Sequence, residues 1–160
     1  MKKLILSFLA GLFVLTACNP RKIYEKYLDN DRITWNRFDI KTFKVDISDT
    51  SAKYAFYVAI RYISQIPLQY ITIKFTLYTP SGERRTLEQK ILLKDKEGNL
   101  LGNGMGDLWD LNHLVRDNFE FTEPGICTVE ISSTMSQADL PGIMQVGLIV
   151  KKSPAPWPGR

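Results

Sequence analysis

Residues 54–63 read YAFYVAIRYI, an alternation with a period of two. One face of this segment carries its largest apolar side chains: Tyr54, Phe56, Val58, Ile60 and Tyr62. The other face carries Ala55, Tyr57, Ala59 and Arg61. Residues 68–78 alternate in the same way, with an apolar face made of Ile71, Ile73, Phe75 and Leu77. Such alternation is typical of half-buried β-strands, and we expect the two segments to pair around the turn Gln65-Ile66-Pro67.

Further segments with strand character lie on both sides of this pair. They cover residues 38–47, 89–94, 99–101, 107–115, 125–132 and 143–152. We expect 89–94 and 99–101 to form a hairpin, since Gly98 between them can take the left-handed conformation of a short turn. Residues 107–115 also fit a short amphipathic helix, but their extended neighbours favour a strand. About eight or nine strands with little helix predict an all-β protein, with one antiparallel β-sandwich or jelly-roll domain over residues 33–152.

The N-terminus has the pattern of an export signal. Lys2 and Lys3 precede an apolar run over residues 4–14, which is followed by Leu-Thr-Ala-Cys at residues 15–18. This order predicts a signal peptide over residues 1–17, and Leu-Thr-Ala-Cys is the lipobox pattern, in which Cys18 receives lipid and becomes the first residue. The run is well short of the ~20 residues of a transmembrane helix. We therefore expect a lipoprotein attached to a lipid bilayer through acylated Cys18; the alternative is an ordinary secretory signal with an incidental cysteine.

The remaining chain has the size of one domain. Without residues 1–17 it would have 143 residues, with 19 Lys and Arg against 17 Asp and Glu, a net charge of +2. So small a charge argues against nucleic acid as a partner. Residues 18–32 are interpreted as the lipidated N-terminus and a tether, whose basic Arg21 and Lys22 suit either anionic head groups or a solvated linker. Residues 153–160 contain three prolines and are interpreted as an extended tail.

Residues that could carry catalysis or bind a metal are scarce. His113 is the only histidine, so a site with two or three histidine ligands cannot form. Cys127 shares a predicted strand face with Val129 and Ile131, which predicts a buried, inert thiol and a structural role for His113. The acidic turn that starts at Asp95 is not an EF-hand calcium loop, because its twelfth residue is a glycine. We expect no catalytic residue, no metal site and no cofactor.

The roles of three glycines and two tryptophans have more than one interpretation. Gly102, Gly104 and Gly106 do not have the spacing of a dinucleotide-binding loop, and they indicate a bulge or a close approach of the backbone to a neighbour. Trp35 and Trp109 are interpreted as core residues, and the alternative is an aromatic platform of the kind that binds sugars.

Arg61 lies among apolar residues in the middle of a predicted strand. A charge at such a position either pairs with a carboxylate or reaches solvent along its own aliphatic stem. The candidate carboxylate partners for a structural ion pair are Asp49 and Asp107.

Taken in order along the chain, several of these features resemble the GldH family of gliding motility lipoproteins. They are Cys18, Trp35, Asp49-Thr50 with Tyr54, Arg61, the string GNGMGDLW at 102–109, Gly125, Met135 and the segment LPGIMQVGL at 140–148. The resemblance covers essentially the whole chain after the signal. It implies a membrane lipoprotein required by machinery that moves cells over surfaces and is tied to type IX secretion. It does not imply an enzyme.

The resemblance and the scarcity of catalytic groups together predict a non-catalytic lipoprotein that acts by protein contact. Its expected partners are components of the gliding and secretion machinery, and two segments are the candidate contacts because loops on a rigid sandwich often carry function. The candidate residues are Gly102, Gly104, Gly106, Asp107, Trp109, Leu140, Pro141 and Gly142. The alternative is a glycan-binding lipoprotein that uses Trp35 and Trp109. The predicted lipid anchor and the resemblance together imply an outer-membrane lipoprotein. Because the residues after Cys18 are basic, where surface-exported lipoproteins of such bacteria tend to carry acidic runs, we expect the domain to face the periplasm.

Overall fold

A computed structural model describes residues 21–154. The predicted signal peptide, the predicted lipidation site Cys18 and most of the predicted tail lie outside that range. The described strands, with their bounds, are β1 (Lys22–Asp29), β2 (Thr34–Asn36), β3 (Lys41–Ile47), β4 (Lys53–Ile63), β5 (Tyr70–Tyr78), β6 (Arg84–Leu92), β7 (Asn103–Met105), β8 (Leu108–Glu120), β9 (Gly125–Ser133), β10 (Asp139–Pro141) and β11 (Ile143–Lys152). A 3-10 turn at Asp31–Ile33 joins β1 to β2. Within residues 21–154 there is no helix of the length and apolar character that crossing a bilayer requires.

The strands form two main antiparallel sheets. The five-stranded sheet has the order β1-β11-β4-β8-β7, the four-stranded sheet has the order β3-β9-β5-β6, and β2 pairs separately with β10. The inner faces of the two sheets meet in one apolar core, where the rings of Phe56 and Phe75 lie with centroids 6.0 Å apart. The predicted all-β antiparallel sandwich is confirmed, and residues 108–120 are a strand, as their extended neighbours indicated.

The predicted pairing of the two longest alternating segments is wrong. β4 lies between β11 and β8 in one sheet, whereas β5 lies between β9 and β6 in the other. The connection between them is a crossover from sheet to sheet, and Ile66 in that connection is buried at 1% exposure. This arrangement lets the apolar face of β4 bury the apolar face of β5 across the core, which edge-to-edge pairing within one sheet would not do.

Two further boundaries differ from the prediction. β6 begins at Arg84 and pairs along its length with β5, so the expected hairpin of 89–94 with 99–101 shrinks to one isolated bridge, Lys94 to Leu100. Residues 22–29, which we assigned to a tether, form the edge strand β1 on β11. Tyr24 and Leu28 pack against the core, which gives this segment enough burial to join the sheet. The bulge near Lys22 interrupts its alternation and explains why the pattern did not reveal a strand.

Candidate functional site

The two candidate contact segments converge at one end of the sandwich. Both segments accept hydrogen bonds from the end of β4, at the adjacent residues Ile63 and Ser64. The Ser64 amide donates to the Asp107 carbonyl at 2.9 Å, and the Ile63 amide donates to the Gly142 carbonyl at 3.0 Å. The segment of residues 102–109, here called the β7–β8 tip, and the turn of residues 139–142 therefore form one surface together with residues 63–66.

Two glycines of the tip let β7 lie close to β8, as their spacing indicated. Gly104 pairs with Trp109, and a Cβ atom at Gly104 would lie 2.3 Å from the indole ring. Gly102 has a φ of +104°, and a Cβ atom there would lie 2.3 Å from the Asp110 carbonyl oxygen. The indole of Trp109 thus covers Gly104, and any larger residue at position 104 must displace it.

Neither candidate tryptophan presents an open ring for a sugar. Trp35 is fully buried, and its Nε1 donates to the Asp39 carbonyl at 3.0 Å. Trp109 pairs with Tyr62 on the inner side of its sheet and packs partly buried against the core. The interpretation of both as core residues is the better one, and the sugar platform has no support in their positions.

The tip exposes two apolar side chains. Met105 is 90% exposed and Leu108 is 44% exposed, and the two side chains are register partners on β7 and β8. Exposed apolar side chains that cluster and lie next to polar groups are typical of contact sites. Met105 lies inside the predicted contact loop of residues 102–109, although it was not singled out there. Its neighbours on both sides are glycines, so it has little local cover.

A row of polar side chains crosses the outer face of the five-stranded sheet, two residues along the strands from the exposed apolar pair of the tip. The register aligns one residue from each strand: Asp29, Gln145, Arg61, Asp110 and Asn103. The Arg61 guanidinium donates to both Asp110 oxygens, from Nε at 2.7 Å and from Nη2 at 3.0 Å, and to Gln145 Oε1 at 3.0 Å. Gln145 Nε2 in turn donates to Asp29 Oδ1 at 2.6 Å. We call these five residues the polar row.

The ring of Tyr27 packs beside Arg61, the central residue of the polar row. The guanidinium of Arg61 lies 5.4 Å from the ring centroid of Tyr27. That ring lies over Gly147, where a Cβ atom would be 2.7 Å from Tyr27 Cδ1. Hydrogen bonds to Asp110 raise the pKa of Arg61 above its ordinary value. Arg61 is therefore held in one orientation by a carboxylate, an amide and a ring.

Both predicted carboxylate partners of Arg61 are wrong. Asp110 takes this place, because the register sets it directly opposite Arg61 on β8. Asp49 lies near the other end of the sheet and pairs with Lys152 Nζ at 2.7 Å; hydrogen bonds from Lys152 and Ser51 lower the pKa of Asp49 to about 2. Asp107 instead accepts from the Ser64 hydroxyl at 3.1 Å, inside the tip surface.

The turn of residues 139–142 is largely structural. Leu140 is fully buried and pairs with Trp35 between β10 and β2. Gly142 has a φ of +91°, and a Cβ atom there would lie 2.9 Å from Ile66 Cγ1. Of the three predicted contact residues of this turn, only Pro141 is exposed.

The groups that could carry chemistry lie apart from this surface. Cys127 is buried, and burial raises the pKa of its thiol to about 12, so it is not a nucleophile at neutral pH. His113 faces the sandwich interior opposite Val58, and burial lowers its pKa. Its Nε2 has no hydrogen-bond partner among the described residues, which differs from the expected bonded structural histidine. Residues 21–154 contain no group of three or more His, Cys, Asp or Glu side chains placed to hold a metal ion.

The comparisons with known proteins point to one family. A sequence profile described as GldH lipoprotein matches residues 22–150. The Gliding motility lipoprotein GldH of Flavobacterium johnsoniae is 21% identical over 136 residues, which cover 84% of each chain. The Gliding motility lipoprotein GldH homolog of Christiangramia forsetii is 22% identical over 153 residues, which cover 91% of this chain and 93% of the relative.

A search of solved structures returned a chain of an infectious bursal disease virus particle of the Gx strain. It is 16% identical with a TM-score of 0.30, over 86% of this chain and 31% of the viral one. A likeness of that size supports no conclusion about fold or function. The profile match, in contrast, extends from the first residue of β1 almost to the end of β11. The chain therefore belongs to the GldH lipoprotein family.

Proposed function

We propose that this protein is a membrane-anchored lipoprotein that supports gliding motility and its associated type IX secretion machinery through protein contacts, without catalysis. The observation that carries the proposal is the exposed apolar pair Met105 and Leu108 at the tip of a chain of this family. Relatives that match over most of their length bear the name gliding motility lipoprotein.

The direction of the strands favours an anchor at one end and a contact surface at the other. Lys22, the first residue of β1, pairs with Lys151 near the end of β11, and Lys152 pairs with Tyr54 near the start of β4. The tip lies where β4 ends, because Ile63 pairs with Leu108. β4 has 11 residues, so at about 3.4 Å per residue it separates the two ends by roughly 35 Å.

This separation suits attachment through Cys18. The predicted lipidation site precedes Lys22 by four residues, which span at most about 14 Å. A domain anchored in this way keeps the start of β1 near the bilayer and holds the tip away from it. We propose that it is an outer-membrane lipoprotein and that the tip faces the periplasm.

The chemistry of the tip suits a protein partner. Met and Arg are enriched in protein interfaces, and here Met105 and Leu108 lie next to Arg61 and Asp110 of the polar row. The Arg61 orientation is fixed by its hydrogen bonds, so little side-chain entropy would be lost on binding.

The test is a crosslinked pull-down from native membranes with partners identified by mass spectrometry. Cys18→Ser serves as the unanchored control, and Met105→Asp places a charge at the tip. The matched control is Ile126→Asp, since Ile126 is 54% exposed on the other sheet. We expect motility or secretion components to be recovered with the native protein and with Ile126→Asp, and lost with Met105→Asp and with Cys18→Ser.

Recovery of the same components with Met105→Asp would contradict the tip as the contact surface. Absence of such components from the native sample, with the protein folded and abundant, would contradict the function itself. Digestion of the protein by protease added to intact cells would contradict the periplasmic orientation.

A further inference from the structure

Along the side that carries β6 and β8, the two sheets approach each other but leave a cleft open to solvent. β6 is the last strand of the four-stranded sheet, and β8 bonds to β7 only through residues 108–110. Between the two strands lies a cleft of about 240 Å³, here called the β6–β8 cleft. Its apolar wall is formed by Phe75, Leu77, Leu87 and Phe119, and its charged lining residues are Arg85 and Arg116.

The apolar wall continues into the core of the sandwich. Phe75 and Phe119 both contact Phe56, with ring centroids 6.0 and 6.1 Å from it. Leu87 pairs with Phe75 across β5 and β6 and is half-buried. The lining includes one further polar side chain, Thr86, whose hydroxyl lies 3.4 Å from that of Thr76. An occupant of the cleft would contact both this apolar wall and the polar side chains of Arg85, Thr86 and Arg116.

The two arginines occupy positions that face the other sheet. Arg85 is the register partner of Leu77, and Arg116 is the register partner of Phe56; both partners are core residues. Arg116 lies 5.8 Å from the ring centroid of Phe119 and forms no ion pair with a carboxylate of residues 21–154. Arg85 pairs with Glu83, which does not line the cleft.

We propose that the β6–β8 cleft binds a medium-chain acyl carboxylate. The alkyl chain lies between the sheets against the phenylalanine and leucine side chains, and the carboxylate lies between Arg85 and Arg116. Two cations beside an apolar wall, with no carboxylate in the lining, are complementary to an amphipathic anion. The cleft volume of about 240 Å³ is many times the roughly 10–15 Å³ that one water molecule requires, so the cleft has room for an alkyl chain. The proposal does not rest on the proposed motility function.

The probe is sodium octanoate, titrated into the full-length lipidated protein in lipid nanodiscs and followed by methyl NMR of Leu77 and Leu87. We expect saturable shifts of both methyl signals. Acetate has the charge without the chain, and octan-1-ol has the chain without the charge. Each is expected to bind at least tenfold more weakly than octanoate.

Substitution of the arginines tests the position of the carboxylate. Arg116→Gln and Arg85→Gln are each expected to raise the dissociation constant of octanoate by a factor of three or more. The matched control is Arg84→Gln, on the same strand but outside the cleft lining, which is expected to leave it unchanged.

Three results would overturn the proposal. The first is the absence of saturable shifts at millimolar octanoate. The second is equal affinity for octanoate and octan-1-ol, because it would remove any role for the arginines. The third is displacement of octanoate by an acidic peptide that binds more tightly, because it would assign the cleft to a protein segment.

Discussion

Lys41 and Arg85 are cations at inward-facing positions on opposite edges of the four-stranded sheet, and their surroundings differ. Lys41 on β3 is 5% exposed; its Nζ donates to the Asp29 carbonyl at 2.8 Å and contacts the Asp39 carboxylate at 2.6 Å. Arg85 on β6 has a side chain that is 64% exposed and pairs only with Glu83, two residues away. A cation at an inward-facing position is thus buried where hydrogen-bond acceptors surround it, and it remains exposed to solvent where they do not.

The difference separates a closed side of the sandwich from an open one. On the closed side, the ammonium of Lys41 joins β3 of one sheet to the end of β1 of the other. On the open side, the β6–β8 cleft lies between the side chains of β6 and β8, and no described strand covers it. The closed side stabilises the fold, whereas the open side is available for a ligand.

Replacement of Lys41 by alanine should have the largest effect on stability. It removes the buried donor of the Asp29 carbonyl and the partner of the Asp39 carboxylate, and it leaves a cavity. We expect the free energy of unfolding to fall by about 3 kcal/mol. Urea denaturation followed by far-UV circular dichroism measures this change.

Arg85→Ala is the matched control for that substitution. Because its side chain is mostly exposed, we expect a change within about 0.5 kcal/mol. Equal decreases in the free energy of unfolding for Lys41→Ala and Arg85→Ala would contradict the distinction between a closed and an open side.

Gly104→Ala should have the next largest effect on stability. It acts where β7 pairs with β8, the strand that borders the β6–β8 cleft. The added Cβ atom would lie 2.3 Å from the Trp109 ring, so β7 or the indole must move. We expect a loss of about 1–2 kcal/mol and faster hydrogen exchange of the β8 amides that bond to β7. Met105→Ala, with its 90% exposed side chain, is the control that should leave exchange unchanged. Native exchange rates in Gly104→Ala would show that the tip accommodates a methyl group.

The sequence pattern predicted which faces are buried better than it predicted which strands are neighbours. Alternation in residues 54–63 assigned Phe56 and Val58 to the core, and both are fully buried. The long central strands β4 and β5 show a similar alternation although they belong to different sheets, so the pattern does not distinguish a hairpin partner from a strand in the facing sheet. This is the physical reason why β4 was expected to pair with β5, although its neighbours are β8 and β11.

The same limit applies to the candidate site. The close approach at Gly102 and Gly104 was predictable, because few residues other than glycine tolerate it. The partner of Arg61 was not, since Asp110 is 49 residues away and faces it only through the register of β4 with β8. The β6–β8 cleft depends in the same way on two strands that belong to different sheets.

A smaller effect on stability is expected from the polar row, whose arginine is paired, unlike Arg116 of the cleft. Arg61 is bidentate to Asp110, whereas Arg116 has no carboxylate partner among residues 21–154. A double-mutant cycle of Arg61→Gln and Asp110→Asn should give a coupling free energy of about 0.5–1 kcal/mol, because the pair is partly exposed. A coupling near zero would mean that Tyr27 and Gln145 hold Arg61 without the carboxylate.

The smallest effect is expected from acid, through the ion pair that joins the segment after β3 to the end of β11. The pKa of Asp49 is lowered to about 2 by hydrogen bonds from Lys152 and Ser51, against an ordinary value of 3.8. A carboxyl whose pKa is lowered by folding contributes stability that is present above the unfolded pKa and is lost as pH falls through the folded pKa. We therefore expect the melting temperature of the native protein to fall more steeply between pH 4 and pH 2 than that of Asp49→Asn. Parallel curves for the two proteins over that range would show that Lys152 contributes no acid-sensitive link between the two sheets.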